Sequence, residues 1–317
     1  MNIKGIHHVS AITADAKKNY DFYTDVLGMR LVKKTVNQDD NSMYHLFYAD
    51  EKGNPGTDLT FFEIPRAGRT YPGTHSISTT SLRVQDDKAL EYWRERFDAY
   101  GVDQDPIKET MSRKTLAFRD PEGQRLMLVS DENNEGVTAG TAWDKSIVPQ
   151  ENGINGLGPV HLTVAEAAPT AKVLTEILGF RKVGTFDDRI VFETGEGGTG
   201  AEVHIETNPE LHRERPGRGS VHHVAFRVED EAELEKWKDK IQDAGFPNSG
   251  LIDRFYFKSL YFREPNHILF ELATDGPGFT TDEDEGHLGE NLALPPFLEH
   301  KREQIEANLT PLETTNE

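Results

Sequence analysis

The sequence predicts an α+β protein made of four βαβββ modules, which pair into two cupped, barrel-like sheets and are followed by a C-terminal helix. Three observations support this fold class. One strand, one helix and three strands recur in that order four times, a histidine doublet opens two of the modules (His7-His8 and His222-His223), and "FRDPEGQRLMLVSD" matches "FREPNHILFELATD" without a gap. Because a single four-stranded module leaves one sheet face uncovered, two modules must pair around a shared cavity.

The first module spans about residues 3–65 and the second about residues 74–131. In the first, the strand "GIHHVSAIT" precedes the amphipathic helix "DAKKNYDFYTDVLG" and strands in "MRLVKKTVNQ", "SMYHLFYAD" and "DLTFFEIP". Gly28 after that helix and the Gly-Asn-Pro-Gly turn at residues 53–56 are typical stop and turn signals. The second module repeats the order with "ISTTSLRV", "KALEYWRERFDAYG" and "IKETMSRKTLAFRDPEGQRLMLVSD".

The third module covers about residues 157–207 and the fourth about 218–274. They contain "GPVHLTV" with the helix "APTAKVLTEILGF", and "SVHHVAFRV" with the helix "EAELEKWKDKIQDAGF". We therefore predict modules one and two within residues 3–131, modules three and four within 155–275, and an acidic linker with an amphipathic helix in 276–317.

The C-terminal helix is predicted in "PPFLEHKREQIEANL". A proline precedes apolar residues at Phe297, Leu298, Ile305 and Leu309, which would give the helix one apolar face. We expect that face to dock on the body of the protein or on a second subunit. A second copy of the chain is therefore one predicted partner, in a homo-oligomer.

Composition restricts the function classes. The chain of 317 residues contains no cysteine, which excludes disulfides and thiolate metal sites and favours a cytoplasmic location. It carries 35 basic and 55 acidic residues, a formal net charge of −20, and this argues against nucleic acid or an anionic membrane as a partner. No apolar run approaches the roughly 20 residues of a membrane span.

The two doublets and Glu271 offer the side chains of a metal site. Adjacent side chains on a strand point to opposite faces, so only one histidine of each doublet is expected to face a shared metal. Glu271 lies in the apolar strand "ILFELATD", where a buried carboxylate requires a partner. Two imidazoles and one carboxylate form the ligand set of a non-haem Fe(II) centre with open coordination positions.

The chain resembles the vicinal oxygen chelate superfamily, which includes glyoxalase I, fosfomycin and bleomycin resistance proteins and type I extradiol dioxygenases. The resemblance covers residues 3 to about 275. Within the superfamily, "IHHVSAIT", "DFYTDVLGMRLVKKTVNQDD", "LTFFEIP" and "LALPPFLEHKREQIEANL" are similar to dioxygenases that cleave the ring of hydroquinones. This implies a cytosolic enzyme that binds Fe(II), or sometimes Mn(II), and uses O2 to open a small hydroquinone or catechol-like ring.

The resemblance implies metal ligation by His8, His223 and Glu271. His161 in "GPVHLTV" is the competing first ligand, because it occupies in the third module the place that His8 has in the first. If His8 is the ligand, the first and fourth modules must face each other across one cup, and the middle two must form the other.

Four further residues are implied around the substrate: His7, His222, Arg254 and Tyr261. A phenolic substrate must lose a proton on binding, and a proton must be returned when the oxygen–oxygen bond breaks, which a histidine or tyrosine beside the metal can do. Arg254 can stabilise negative charge on the bound oxygen species.

Two other function classes are compatible with the pattern. A glyoxalase-like lyase or isomerase would use a fourth side-chain ligand, which Glu63 or Asp58 could supply, and that ligand would favour Lewis-acid chemistry over oxygen chemistry. A non-catalytic protein that sequesters a quinone or drug is the second alternative.

Overall fold

A computed structural model describes residues 1–314 of the chain and contains the four predicted modules in the predicted order. The first two modules comprise β1 Ile6–Thr13, α1 Ala16–Asp21, β2 Arg30–Val36, β3 Tyr44–Ala49, β4 Asp58–Glu63, β5 Ser76–Val84, α2 Asp87–Tyr100, β6 Lys108–Thr110, β7 Arg113–Arg119 and β8 Arg125–Ser130. The last two comprise β9 Gly156–Val164, α3 Ala167–Lys172, β10 Arg181–Phe186, β11 Arg189–Glu193, β12 Glu202–Thr207, β13 Val221–Val228, α4 Glu231–Asp243, β14 Ile252–Asp253, β15 Phe257–Arg263 and β16 Leu269–Pro277.

The modules pair into two eight-stranded sheets. The first sheet has the strand order β14-β15-β16-β13-β1-β4-β3-β2, and the second has the order β10-β11-β12-β9-β5-β8-β7-β6. The first module therefore pairs with the fourth and the second with the third. Antiparallel pairs of first strands, β1 with β13 and β5 with β9, form the seam of each sheet. The predicted fold class is confirmed.

Each sheet takes one module from residues 3–131 and one from residues 155–275. The boundaries at residues 131 and 155 therefore separate modules that follow one another along the sequence. The assignment of these two ranges as domains stays a prediction.

The two long helices cover the outer faces of the sheets. The side chain of Asp86 caps α2 by accepting a hydrogen bond from the backbone N–H three residues later, and Asp230 caps α4 in the same way. Each helix then buries a tryptophan, Trp93 and Trp237 respectively, at equivalent positions against its sheet. Among residues 1–314, no helix combines the length and apolar character needed to cross a bilayer.

The C-terminal segment folds back on the body of the protein as two short helices, α5 Pro296–Glu299 and α6 Arg302–Asn308, in place of the single predicted helix. Leu298, Ile305 and Leu309 are buried, as a docked apolar face requires. Phe297 is 52% exposed, so it does not belong to that face. Residues 315–317 of the predicted 276–317 segment lie outside the described residues.

Candidate functional site

The two histidine doublets lie at the seam of the first sheet, and each contains a β-bulge. In β1 the residue without a partner on β13 is His7, and in β13 the residue without a partner on β1 is His222. A bulge interrupts the alternation of side chains, which is why the two rings of each doublet lie side by side. The ring centroids are 5.1 Å apart in both His7–His8 and His222–His223.

His8, His223 and Glu271 converge on one point beneath this seam. The Nε2 atoms of His8 and His223 are 3.2 Å apart, and they lie 3.0 and 2.8 Å from Oε2 of Glu271. All three side chains are buried, and Glu271 is fully inaccessible. β16, which carries Glu271, lies parallel to β13, so the strand order brings the carboxylate next to the doublets.

The geometry of these three residues fits a metal ion. Ligand atoms held about 2.0–2.2 Å from one ion at right angles are about 3 Å apart, as these atoms are. Apart from these two imidazole nitrogens, the carboxylate of Glu271 has no polar partner within residues 1–314. A buried carboxylate whose polar neighbours are only two imidazoles is costly unless a cation neutralises it.

The hydrogen-bond pattern of the first doublet leaves Nε2 of His8 free to bind a metal. Nε2 of His7 lies 2.9 Å from the carbonyl oxygen of Thr274, which can only accept, so this nitrogen carries the hydrogen. Nδ1 of a neutral His7 must then accept a hydrogen bond from Nδ1 of His8, 2.9 Å away. The remaining nitrogen of His8 has a lone pair and points to His223 and Glu271.

The second doublet has a similar contact but a different outer end. Nδ1 of His222 lies 2.8 Å from Nδ1 of His223. The other nitrogen of His222 has no hydrogen bond within residues 1–314, and its side chain lines the cavity described below. His7 does not line that cavity. The structure thus places His222 at the cavity and His7 behind His8, away from the cavity.

The site is electrostatically suited to a cation. Burial alone would raise the pKa of Glu271, but His8 and His223 lower it well below its usual range. Burial lowers the pKa of His223, against the opposing effect of Glu271. Burial and the neighbouring histidine of each doublet lower the pKa of His7 and of His222 to about 3. Glu271 is therefore ionised at neutral pH, and the two outer histidines are neutral.

A cavity of about 360 Å³ opens on the ligand face of His8 and His223. This volume suits a small organic molecule. Its walls are largely apolar, formed by Met43, Phe47, Phe62, Ile64, Phe257 and Leu269.

Arg254 and Tyr261, both predicted from the resemblance, line this cavity. The guanidinium of Arg254 forms an ion pair with Asp39 at 3.0 and 3.2 Å, and its Nε lies 3.4 Å from the hydroxyl of Tyr261. The Tyr261 ring packs edge-on against His223, with centroids 5.6 Å apart. Burial, followed by the charge of Glu271, raises the pKa of Tyr261, so its hydroxyl keeps its proton at neutral pH.

His161, the competing ligand, lies in the other sheet and pairs there with Thr79 on β5. Its ring stacks on His204 at a centroid distance of 4.8 Å. His204 in turn contacts Glu202, which Arg113 binds with two hydrogen bonds of 2.7 and 2.8 Å. The carboxylate in this second cup is thus already neutralised, and the cup encloses a space of only about 30 Å³.

Neither proposed fourth ligand joins the cluster. Oε1 of Glu63 accepts a hydrogen bond from the backbone N–H of Ala16 at 2.9 Å, and Asp58 does not line the cavity. Strand register places Thr60 of β4 at the position in the first module that Glu271 holds in the fourth. A hydroxyl therefore occupies the position where the paired module would offer a second carboxylate.

Several polar residues of the cavity were missed by the sequence reasoning, among them Ser10, His45, Asn37, Gln38 and Asp39, and so was Thr60. Ser10 and His45 line the cavity, and Thr60 lies behind them. His45 is the single histidine of the strand "SMYHLFYAD", and the corresponding strands of the other modules contain no histidine. The signals that were available were its polarity in an apolar strand and the position of Ser10 two residues after His8.

Comparisons with known proteins identify the family to which the chain is similar. The family model of the Glyoxalase/Bleomycin resistance protein/Dioxygenase superfamily matches residues 5–128 and 156–272. The chain is 54% identical to MhqA of Bacillus subtilis (strain 168), provisionally named a ring-cleaving dioxygenase, over 99% of this chain and 100% of that protein. It is 29% identical to a chlorohydroquinone/hydroquinone 1,2-dioxygenase of Sphingobium indicum, over 96% of this chain and 95% of that protein.

One solved structure extends the comparison to three dimensions. The crystal structure of a provisionally named dioxygenase from Bacillus subtilis superimposes with a TM-score of 0.91 at 36% sequence identity. The match covers 98% of both chains.

Proposed function

The chain belongs to the glyoxalase/bleomycin resistance protein/dioxygenase superfamily, and from this premise we propose that it is a ring-cleaving dioxygenase that inserts O2 into a hydroquinone or catechol-like phenol. The observation that carries the proposal is the cluster of His8, His223 and Glu271, whose ligand atoms lie 2.8–3.2 Å apart at the base of a 360 Å³ cavity. The names of the similar proteins direct the choice of substrate to hydroquinones.

His8, His223 and Glu271 would hold the metal, which we propose is Fe(II), with Mn(II) as the other candidate. When bound, such an ion supplies positions at which a phenol oxygen and O2 can lie side by side and exchange electrons. Within residues 1–314 the cluster offers three protein ligands, and this leaves room for both molecules. The fourth ligand of a glyoxalase-like isomerase, a second carboxylate, has no counterpart in this cluster, since Thr60 occupies that position.

His222 is proposed to move the proton. Its ring is neutral at neutral pH and its side chain lines the cavity, so it would accept the proton of the substrate hydroxyl and later return a proton to the product. The neutral Tyr261 hydroxyl is a hydrogen-bond donor beside the same ligand histidine. Arg254 would stabilise negative charge on oxygen, and Asp39 holds its guanidinium at the mouth of the cavity.

His7 is proposed to position a ligand instead of touching the substrate. It lies behind His8 and links that ring to the carbonyl oxygen of Thr274. This arrangement fixes the orientation of His8 and the nitrogen that is available to the metal.

The test is anaerobic loading of the protein with Fe(II), followed by oxygen-electrode measurements with hydroquinone, methylhydroquinone and catechol. We expect oxygen uptake with at least one of these and the appearance of a ring-opened acid. The His8→Ala variant should lose both bound iron and oxygen uptake, whereas the His161→Ala variant should keep both. The absence of uptake with all three substrates would refute the proposal, and loss of iron only in His161→Ala would refute the ligand assignment.

Two other outcomes would point to the alternatives. Turnover without oxygen in a nickel- or zinc-loaded protein would favour a glyoxalase-like lyase. Tight binding of a quinone without turnover would favour a sequestering protein.

A further inference from the structure

A line of three hydrogen-bonding side chains crosses one wall of the catalytic cavity. Oγ of Ser10 lies 2.7 Å from Oγ1 of Thr60, and Oγ1 of Thr60 lies 3.0 Å from Nε2 of His45. Ser10 and His45 both lie at the cavity, but Ser10 and Thr60 are fully inaccessible, so His45 is the member of the line that a ligand can contact. The rest of this region of the wall is aromatic, since Phe47 and Phe62 belong to it.

The surroundings of His45 leave only one edge of its ring for a further polar partner. Phe47 and Phe62 pack on the ring, with centroid distances of 4.0 and 4.3 Å. Nδ1 of His45 forms no hydrogen bond within residues 1–314. Burial and the nearby His8 keep the imidazole neutral at neutral pH by lowering its pKa well below 6.5. One nitrogen therefore donates a hydrogen bond and the other accepts one.

The line begins next to the proposed metal ligands, with Ser10 on the same strand as His8 and Thr60 on the neighbouring strand β4. Ser10 follows His8 by two residues on β1, so both side chains face the cavity at a separation of roughly 6.6 Å along the strand. A benzene ring with one oxygen at His8 and His223 would direct its para oxygen away from them, across a comparable span. Without a partner, a buried hydroxyl in this apolar wall would bind poorly.

We propose that Ser10, Thr60 and His45 form a subsite for the second oxygen of a para-dihydroxylated ring, and that this subsite selects hydroquinones over phenols that lack the para oxygen. The inference rests on the proposed function in that the ring's first oxygen binds at His8, His223 and Glu271. Because the Thr60 hydroxyl both donates and accepts, the line can exchange its hydrogens between two arrangements. His45 can therefore accept from a hydroxyl or donate to a carbonyl oxygen at the para position.

The test measures binding and does not require turnover. Mn(II)-loaded protein is titrated anaerobically by calorimetry with hydroquinone and with 4-methylphenol, in which a methyl group replaces the para hydroxyl. The wild-type protein should bind hydroquinone roughly 10- to 100-fold more tightly. His45→Phe and Thr60→Val should each reduce that ratio to within about threefold, because each removes one member of the line.

Three further variants keep the result interpretable. Thr60→Ser and His45→Gln retain hydrogen-bonding atoms and should preserve most of the preference. Thr80→Val removes a buried threonine hydroxyl of the second sheet that has no hydrogen bond within residues 1–314, and it should leave the ratio unchanged. An unchanged ratio in both His45→Phe and Thr60→Val, or equal binding of the two phenols by the wild-type protein, would overturn the inference.

This outcome is separate from that of the dioxygenase proposal. If hydroquinone is bound selectively through the three residues but Fe(II)-loaded protein consumes no oxygen, the subsite stands and the proposed reaction falls. If oxygen is consumed but the variants keep the wild-type ratio, the subsite falls and the reaction stands.

Discussion

His7 and His222, the first residues of the two doublets, make different contacts although both precede a second histidine in the sequence. His7 is bonded to a backbone carbonyl on one side and to His8 on the other, so both of its nitrogens are used within the protein. His222 contacts His223 through one nitrogen, and its side chain lines the cavity. The difference arises because Thr274 of β16 lies beyond His7.

This anchoring predicts the effect of replacing His7. In a His7→Phe variant, His8 loses the acceptor for its Nδ1 hydrogen and the tautomer that exposes Nε2 is no longer fixed. We expect the affinity for the metal to fall roughly 10- to 100-fold, measured by competition with a chelator. His161→Phe, a histidine substitution in the second cup, is the matched control and should not change metal affinity. Equal metal affinity in wild-type and His7→Phe protein would contradict the positioning role.

At the scale of elements, the C-terminal segment is held on the first sheet by two buried lysines of the edge strand β2. Nζ of Lys33 is bonded to Asp282 at 2.6 Å, to Glu283 and to a backbone carbonyl of the linker. Nζ of Lys34, on the opposite face, donates to the carbonyl oxygen of Leu312 at 2.9 Å. The acidic linker thus neutralises Lys33, a cation that an edge strand would otherwise bury unpaired.

The linker also supports the cavity wall. Oδ2 of Asp282 accepts a hydrogen bond from the hydroxyl of Tyr256 at 2.8 Å, and Tyr256 lines the cavity. The ammonium group of Lys33 lies 4.8 Å from the centre of the Tyr256 ring. A loosened linker should therefore disturb substrate binding as well as stability.

We expect Lys33→Met to lower the free energy of unfolding by roughly 3 kcal/mol, because it leaves Asp282 and Glu283 without their buried partner. Urea unfolding measures this, and limited proteolysis should show earlier cleavage in residues 279–290. Lys52→Met removes an exposed ion pair between the body and Glu285 of the same linker, and it should cost less than about 1 kcal/mol. Similar losses in the two variants would argue against this role of the buried lysine.

At the scale of the whole molecule, several histidines are kept neutral by the fold, among them His7, His45 and His161. Burial lowers the pKa of His7 to about 3, and it lowers those of His45 and His161 well below 6.5. In the unfolded chain each ring would bind a proton near pH 6.5. Above pH 6.5 these rings are neutral in both the folded and the unfolded state, so they do not affect the free energy of unfolding. As the pH falls from 6.5 toward the folded-state pKa values, only the unfolded chain binds the protons, and the free energy of unfolding decreases.

We expect the unfolding free energy of the metal-free protein to decrease between about pH 6 and pH 4, with up to about 1.4 kcal/mol per pH unit from each of these histidines. Urea unfolding at a series of pH values measures this dependence. His161→Phe should have a slope shallower by one such contribution, since its site is remote from the metal ligands. Parallel pH profiles for the two proteins would show that His161 is not the origin of the effect.

Much of the architecture could be predicted because short stretches of sequence determine the helices, strands and turns. Stop and turn signals such as Gly28, apolar periodicity and the gapless match of two modules identify the βαβββ units without reference to any distant contact. Glu271 could be singled out because a carboxylate in an apolar strand requires a partner. The expectation that the first and fourth modules pair followed from requiring one shared metal, and the sheet order agrees with it.

The set of modules and the kinds of side chain available for chemistry follow from local sequence patterns. Which of these side chains come into contact depends on the tertiary structure. His8 and His161 occupy equivalent positions along their modules, and the pairing of strands places one beside Glu271 and the other beside Arg113 and Glu202. The position of His45 at the cavity likewise depends on the pairing of strands. Neighbours across a sheet seam or cavity are set by pairing between modules far apart in the chain, which no local pattern of residues encodes.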